Sequence, residues 1–142
     1  GIKDNIIFTG FQSNPYRYLS KADLYVLSSI NEGFPNALVE AMICGLPVIA
    51  TDCKTGPREI LTEKYEDRVS NEIEHCEYGV LVPPFISDFS YEPDKEKLLS
   101  NAIVEMLTNN KLYNYYRKQS NYRSKEFSVE SYRKKIIDII EK

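Results

Sequence analysis

The residues best suited to chemistry lie in the stretch Ser29-Ile30-Asn31-Glu32-Gly33-Phe34-Pro35-Asn36-Ala37-Leu38-Val39-Glu40. A carboxylate in a loop precedes a glycine, a helix start follows, and a second carboxylate falls within the first turns. Free amides at a helix N-terminus, with the positive end of its dipole, bind a diphosphate without a cluster of lysines. Helical side chains tilt toward the N-terminus, so Glu40 leans back toward that anion position. A carboxylate accepting from two vicinal hydroxyls is a natural ribose clamp. Glu32, on the other side of the phosphate position, suits the hydroxyls of a hexose. The pattern fits the binding of a sugar nucleotide. Pro35 has no N–H and only presets the turn. Against this stands the ordinary fate of a glutamate, which is solvation. A glutamate near a helix N-terminus also stabilises it, by up to about 1 kcal/mol, with no ligand present.

Other residues carry weaker signals. Arg58 and Lys54 lie in the loop after an apolar run and are within reach of a phosphate, although pairing of Arg58 with a surface carboxylate is an equal alternative. Thr55 and Gly56 are candidates for backbone contacts to a nucleotide. Asp23 suits a local turn or helix end better than chemistry. Tyr113, Tyr115, Tyr116 and Tyr122 have the spacing of half-buried helix faces more than that of a carbohydrate platform. Three cysteines, Cys44, Cys53 and Cys76, lack CxxC spacing, and His75 is the only histidine, so no metal site is expected.

The elements that must position these residues alternate regularly. Ile6-Ile7-Phe8-Thr9, Leu24-Tyr25-Val26-Leu27, Pro47-Val48-Ile49-Ala50-Thr51 and Gly79-Val80-Leu81-Val82 are short apolar runs, read as four strands. Continuous rather than alternating runs suit strands buried on both faces. Between them, Pro15 to Ala22, Pro35 to Gly45, and the segment from Gly56-Pro57 read as helices. In the second of these, Leu38, Ala41 and Met42 face a core, and Gly45 is a good stop. Strand and helix in this order predict an α/β fold: a Rossmann-like parallel sheet of about four strands flanked by helices. Ligands in such sheets bind beyond the carboxyl ends of the strands. Further on, Asp94 is expected to cap a helix carrying Leu98, Leu99, Ala102, Ile103, Met106 and Leu107. Lys111 to Ser124 reads as another, and Ser128 as the cap of a last helix with Tyr132, Ile136 and Ile140 on one face. That face is expected to pack on this domain or on a partner domain. Thr62 to Glu77 and Phe85 to Pro93 read as loops or insertions.

Composition narrows the field. The 18 Lys and Arg against 21 Asp and Glu give a charge of −3, so no basic excess exists for nucleic-acid binding. The apolar runs are far too short for a membrane span, the first residues lack signal-peptide architecture, and the unpaired cysteines suit a reducing compartment. A cytoplasmic location, at most at the membrane surface, is the expectation.

The run Glu32-Gly33-Phe34-Pro35, then Glu40-Ala41-Met42, Gly45-Leu46-Pro47-Val48-Ile49-Ala50-Thr51-Asp52 and Gly56-Pro57-Arg58-Glu59-Ile60-Leu61 resembles glycosyltransferase family 4 (group 1), in its nucleotide-sugar-binding domain. Ala22-Asp23-Leu24 and Tyr78-Gly79-Val80-Leu81-Val82-Pro83 extend the resemblance to roughly residues 6–140. It implies a retaining hexosyltransferase of the GT-B fold, in which two Rossmann-like domains face each other across a cleft. Residues 1–142 would be the donor-binding, C-terminal half, truncated at its N-terminus, with the acceptor-binding N-terminal domain absent. Glu32 would lie against the donor sugar as the catalytic residue and Glu40 would bind the ribose. The amides around Gly33, Phe34, Asn36, Ala37 and Leu38 would face sugar and diphosphate. The donor would be a UDP- or GDP-hexose and the acceptor a saccharide or a lipid-linked sugar in polysaccharide or glycoconjugate synthesis. No metal or other cofactor is implied, and peripheral membrane association of the full-length protein is compatible with the family. An Arg and a Lys that neutralise the diphosphate in the family lie upstream of the matched strands, so this chain alone is expected to be inactive. The acidic stretch Glu63 to Glu77 is longer than the family's usual connection. Two rival readings are a non-catalytic nucleotide- or sugar-binding module and a fragment of a GT-B nucleotide-sugar epimerase.

Overall fold

The computed structural model describes residues 2–85 and 92–141. Its centre is a four-stranded sheet of β1 (Tyr25–Leu27), β2 (Val48–Thr51), β3 (Glu74–His75) and β4 (Val80–Val82), in the order β1-β2-β4-β3. The first three strands in that order are parallel, with Val26 opposite Ile49 and Ile49 opposite Val80. The edge strand β3 runs antiparallel, with Glu74 opposite Leu81. The helices are α1 (Tyr16–Leu19), α2 (Asn36–Ile43), α3 (Pro57–Leu61), α4 (Pro93–Thr108), α5 (Asn110–Ser124) and α6 (Val129–Ile140).

The two faces of the sheet explain the continuous apolar runs. Val48, Ala50 and Leu81 point into one core with Leu38, Ala41 and Met42 of α2 and Ile60 and Leu61 of α3. Ile49, Val80 and Val82 point the other way, against Ala102 and Met106 of α4 and Tyr116 of α5. Strand residues alternate between faces, and here both faces are covered, so Val48 to Ala50 and Val80 to Val82 are apolar throughout. Gly45 ends α2 with φ of +76°, as its place after the last apolar turn predicts.

Four expectations are corrected. Ile6 to Thr9 forms no strand. Ile7 and Phe8 are 85% and 93% exposed, because β1 is the sheet edge and nothing pairs beyond it among the described residues. The fourth strand comes instead from Glu74–His75, inside the stretch read as an insertion, so the sheet is mixed rather than wholly parallel. Asp94 is not the cap of α4: Glu92 precedes Pro93, and Asp94 lies in the first turn, where its charge suits the dipole. The last helix does begin at Ser128, whose side chain accepts from the Ser131 amide at 3.1 Å, yet α6 buries no residue on this domain. Of the loop read at Phe85 to Pro93, residues 86–91 lie outside the described residues. Among the tyrosines, Tyr116 is buried and Tyr113 half-buried, while Tyr115 and Tyr122 are exposed.

Candidate functional site

The loops leaving the carboxyl ends of β1 and β2 meet each other. Thr51, fully buried at the end of β2, donates its hydroxyl to the Ser29 carbonyl at 2.5 Å, and the Cys53 thiol donates to the same oxygen at 3.5 Å. Thr55 donates to the Glu32 carbonyl. Gly56 has φ of +93°, and a Cβ there would stand 2.6 Å from both the Gly33 carbonyl oxygen and Pro35 Cδ. Only glycine allows both that backbone angle and that approach. The β2–α3 loop is therefore the floor on which the Glu32–Pro35 turn rests.

On this floor α2 begins. Pro35 supplies no side-chain cap. The Leu38 amide donates to the Pro35 carbonyl at 3.0 Å and the Leu38 side chain is in the core. The Asn36 and Ala37 amides have no protein acceptor among the described residues. Unpaired first-turn donors at a helix N-terminus are an anion site by construction. Gly33 is exposed and a Cβ there would meet nothing within 4 Å, so the fold itself does not require a glycine at this position. Phe34 is held from far away in sequence: its ring meets Phe127 edge-on at 5.7 Å. Arg123 stacks over Phe127 and donates to the carbonyls of Glu59, Ile60 and Thr62 at the end of α3, which fixes that aromatic support.

Glu32 and Glu40 flank the start of α2. The Glu32 carboxylate accepts from Ser29 Oγ at 2.6 Å. The Tyr25 phenol is raised by burial first and then by the charges of Glu32 and Glu40. Glu40 also raises the neighbouring Tyr16 phenol by its charge. A groove of about 420 Å³ adjoins Glu40, walled by Ala37, Tyr25 and Tyr18 on one side and by Thr9 to Gln12 on the other. Glu32, Gly33, Phe34 and Asn36 lie outside this groove, around the helix mouth.

Arg58 does not face a phosphate. Its guanidinium is 3% exposed and donates to Asp52 (Nε–Oδ1 3.1 Å, Nη2–Oδ2 2.5 Å) and to Glu74 (Nη1–Oε1 3.1 Å, Nη2–Oε2 2.8 Å). Ser70 joins through its amide to Asp52 and its hydroxyl to Glu74, and the more exposed Arg68 covers Glu74 from outside. Hydrogen bonds from Arg58, chiefly, hold the Glu74 carboxyl down to about 2, and those to Glu74 in turn raise the guanidinium. This cluster is the reason the acidic stretch folds back as β3. Lys54 remains exposed at the loop surface.

Sequence reasoning missed Ser29, Thr51, Tyr16 and Tyr25 beside the acids, and Thr9 to Gln12 as a groove wall. Ser29 stands within the stretch that opens the sequence reading but without a role of its own, and the others meet the site through partners distant in sequence. No group of three or more metal-ligating side chains occurs among the described residues, and none of their helices is long and apolar enough to cross a membrane.

Comparison with known proteins gives this geometry a context. The family model described as glycosyl transferases group 1 matches residues 1–123. The chain is 35% identical to the uncharacterized glycosyltransferase MJ1059 of Methanocaldococcus jannaschii, over 91% of this chain and 34% of that protein. It is 29% identical to N-acetylgalactosamine-N,N'-diacetylbacillosaminyl-diphospho-undecaprenol 4-alpha-N-acetylgalactosaminyltransferase of Campylobacter jejuni, over 89% of this chain and 29% of that protein. The chain thus spans about a third of the length of these curated relatives. Among solved structures it superposes on sucrose-phosphate synthase from Thermosynechococcus elongatus with a TM-score of 0.72, 25% identity, and coverage of 99% of this chain and 30% of that one. Anabaena Alr3699/HepE in complex with UDP-glucose matches at a TM-score of 0.70 and 24% identity, over 98% of this chain and 33% of that one. This second likeness is one of fold.

Proposed function

Because the chain belongs to the glycosyl transferases group 1 family, we propose that it is the donor-binding part of a retaining hexosyltransferase of GT-B architecture. The donor is a UDP- or GDP-hexose, and the acceptor a saccharide or lipid-linked sugar of polysaccharide or glycoconjugate synthesis. One observation carries the reading: Glu32 precedes an uncapped helix N-terminus, Glu40 follows on that helix, and a groove of about 420 Å³ adjoins Glu40. The roles follow from chemistry. Glu40, on the groove, accepts from the vicinal hydroxyls of the ribose. The amides of Asn36 and Ala37, with the α2 dipole, receive the diphosphate. Glu32, across the helix mouth, accepts from hexose hydroxyls. When the bond between the anomeric carbon and the diphosphate oxygen breaks, negative charge grows on that oxygen. Donors already aimed at it stabilise the leaving group. An acceptor-side domain completes the cleft, and the full enzyme works at the cytoplasmic membrane surface where the acceptor is lipid-linked. The identity of one relative with a transferase named for a diphospho-undecaprenol substrate supports that acceptor class.

Titration of the complete enzyme with UDP and GDP tests the site. Glu40→Ala should weaken binding of the preferred nucleotide by about 1–3 kcal/mol, the range for an unmade polar contact, with thermal stability unchanged. Equal affinity of parent and variant for both nucleotides would remove Glu40 from the site.

A further inference from the structure

We infer that Ser29 is a positioning residue for Glu32, locking one oxygen of its carboxylate so that the other is presented to the donor hexose, while Thr55 locks the backbone beneath it. The inference rests on the reading of Glu32 as the carboxylate against the hexose.

Ser29 Oγ donates to Glu32 Oε1 at 2.6 Å, and the hydroxyl has one proton, so that donation is committed. The Ser29 backbone is itself tied down. Its carbonyl accepts from Thr51 Oγ1 at 2.5 Å and from Cys53 Sγ at 3.5 Å, both on buried residues of the β2 end. The Glu32 main chain is held at the next link, where its carbonyl accepts from Thr55 Oγ1. Carboxylate and backbone are thus restrained separately, by hydroxyls from two loops, although Glu32 lies in a turn with no regular structure of its own. An unrestrained glutamate rotates about three side-chain bonds. With Oε1 held by Ser29, the carboxylate plane is oriented and Oε2 keeps its lone pairs in a fixed place to accept from a sugar hydroxyl. Thr55 therefore serves the site through its hydroxyl and the Glu32 carbonyl.

The test uses the complete enzyme and whichever of UDP-glucose, UDP-galactose, UDP-N-acetylglucosamine, UDP-N-acetylgalactosamine and GDP-mannose the parent hydrolyses fastest without acceptor. Ser29→Ala is expected to lower kcat about 10- to 100-fold, the scale of a misplaced reacting group. KM and the affinity for free nucleotide should stay within threefold, and Ser29→Thr, which restores the hydroxyl, should recover most of the rate. Thr55→Val should act in the same direction and serves if the alanine variant does not fold. Glu32→Gln is the reference. If it lowers kcat while Ser29→Ala and Thr55→Val do not, the positioning inference is wrong and the donor-site reading stands. If Glu32→Gln leaves kcat at the parent value, the donor-site reading itself fails. Loss of nucleotide affinity and melting temperature together in Ser29→Ala, without rescue by threonine, would make Ser29 a structural residue only.

Discussion

Replacing Arg58 by methionine removes one guanidinium and leaves two carboxylates behind. Asp52, 1% exposed, loses both bonds from Arg58 and keeps only the Ser70 amide at 2.5 Å. Glu74 is less affected, since Arg68 and Ser70 still reach it. Breaking a buried pair by deleting one partner costs roughly 3–5 kcal/mol, and the surviving donors place this case near the lower end, about 3 kcal/mol. For a chain of this size that corresponds to a fall of roughly 10 °C in melting temperature. The acid limb adds a signature that mere loss of packing lacks. Glu74 has a folded-state pKa of about 2 against an ordinary 4.5. A carboxylate depressed in the fold contributes stability that is complete above the unfolded value and is lost as pH falls through the folded one. The gap between parent and Arg58→Met should therefore be full above about pH 4.5 and narrow progressively toward pH 2. Thermal unfolding followed by circular dichroism across pH 2–7 measures both. A variant melting within about 2 °C of the parent at neutral pH, or a gap that stays constant through the acid range, would refute the account of this cluster.

Two glycines separate fold from ligand. Gly56→Ala meets a positive φ and a 2.6 Å contact with the Gly33 carbonyl, so a loss of roughly 1–3 kcal/mol in chemical denaturation is expected; an unchanged midpoint would mean the two loops part freely. Gly33→Ala meets open space, so its melting temperature should match the parent's while affinity for the nucleotide sugar falls at least tenfold, because the added methyl stands where the donor approaches. Unaltered donor binding in Gly33→Ala would place the hexose elsewhere.

What was legible in the sequence, and what was not, divides along physical lines. Val48 to Ala50 and Val80 to Val82 could be read as central strands because burial on both faces favours unbroken apolar runs, a requirement each strand meets by itself. Ile6 to Thr9 satisfies the same requirement and is no strand, since pairing needs a neighbour and β1 has none on that side among the described residues. Glu74–His75 is the converse: two polar residues become a strand because the Arg58 guanidinium needs a second carboxylate at that place. The site behaves likewise. Glu32, Glu40 and the α2 start lie within nine residues of one another, so the pattern that proposes them as a site can be read locally. Arg58 was as good a phosphate candidate as a surface ion-pair partner on composition, and it became neither. Asp52, six residues back, and Glu74, sixteen residues on, each accept two of its hydrogen bonds. The Ser29 hydroxyl, and that of Thr55, which was a candidate only through its backbone, carried no signal for a related reason, because a hydroxyl has a role only once its acceptor is known. Apolar residues announce themselves through periodicity, whereas polar residues take their meaning from partners that the fold alone supplies. The polar contacts around the candidate site and the buried ion cluster meet at one loop. Through Thr51, Thr55, Gly56 and Asp52, the connection between β2 and α3 touches the Glu32 turn on one side and the buried ion cluster on the other. The acidic stretch, which looked dispensable as an insertion, therefore stands one contact away from the floor of the candidate site.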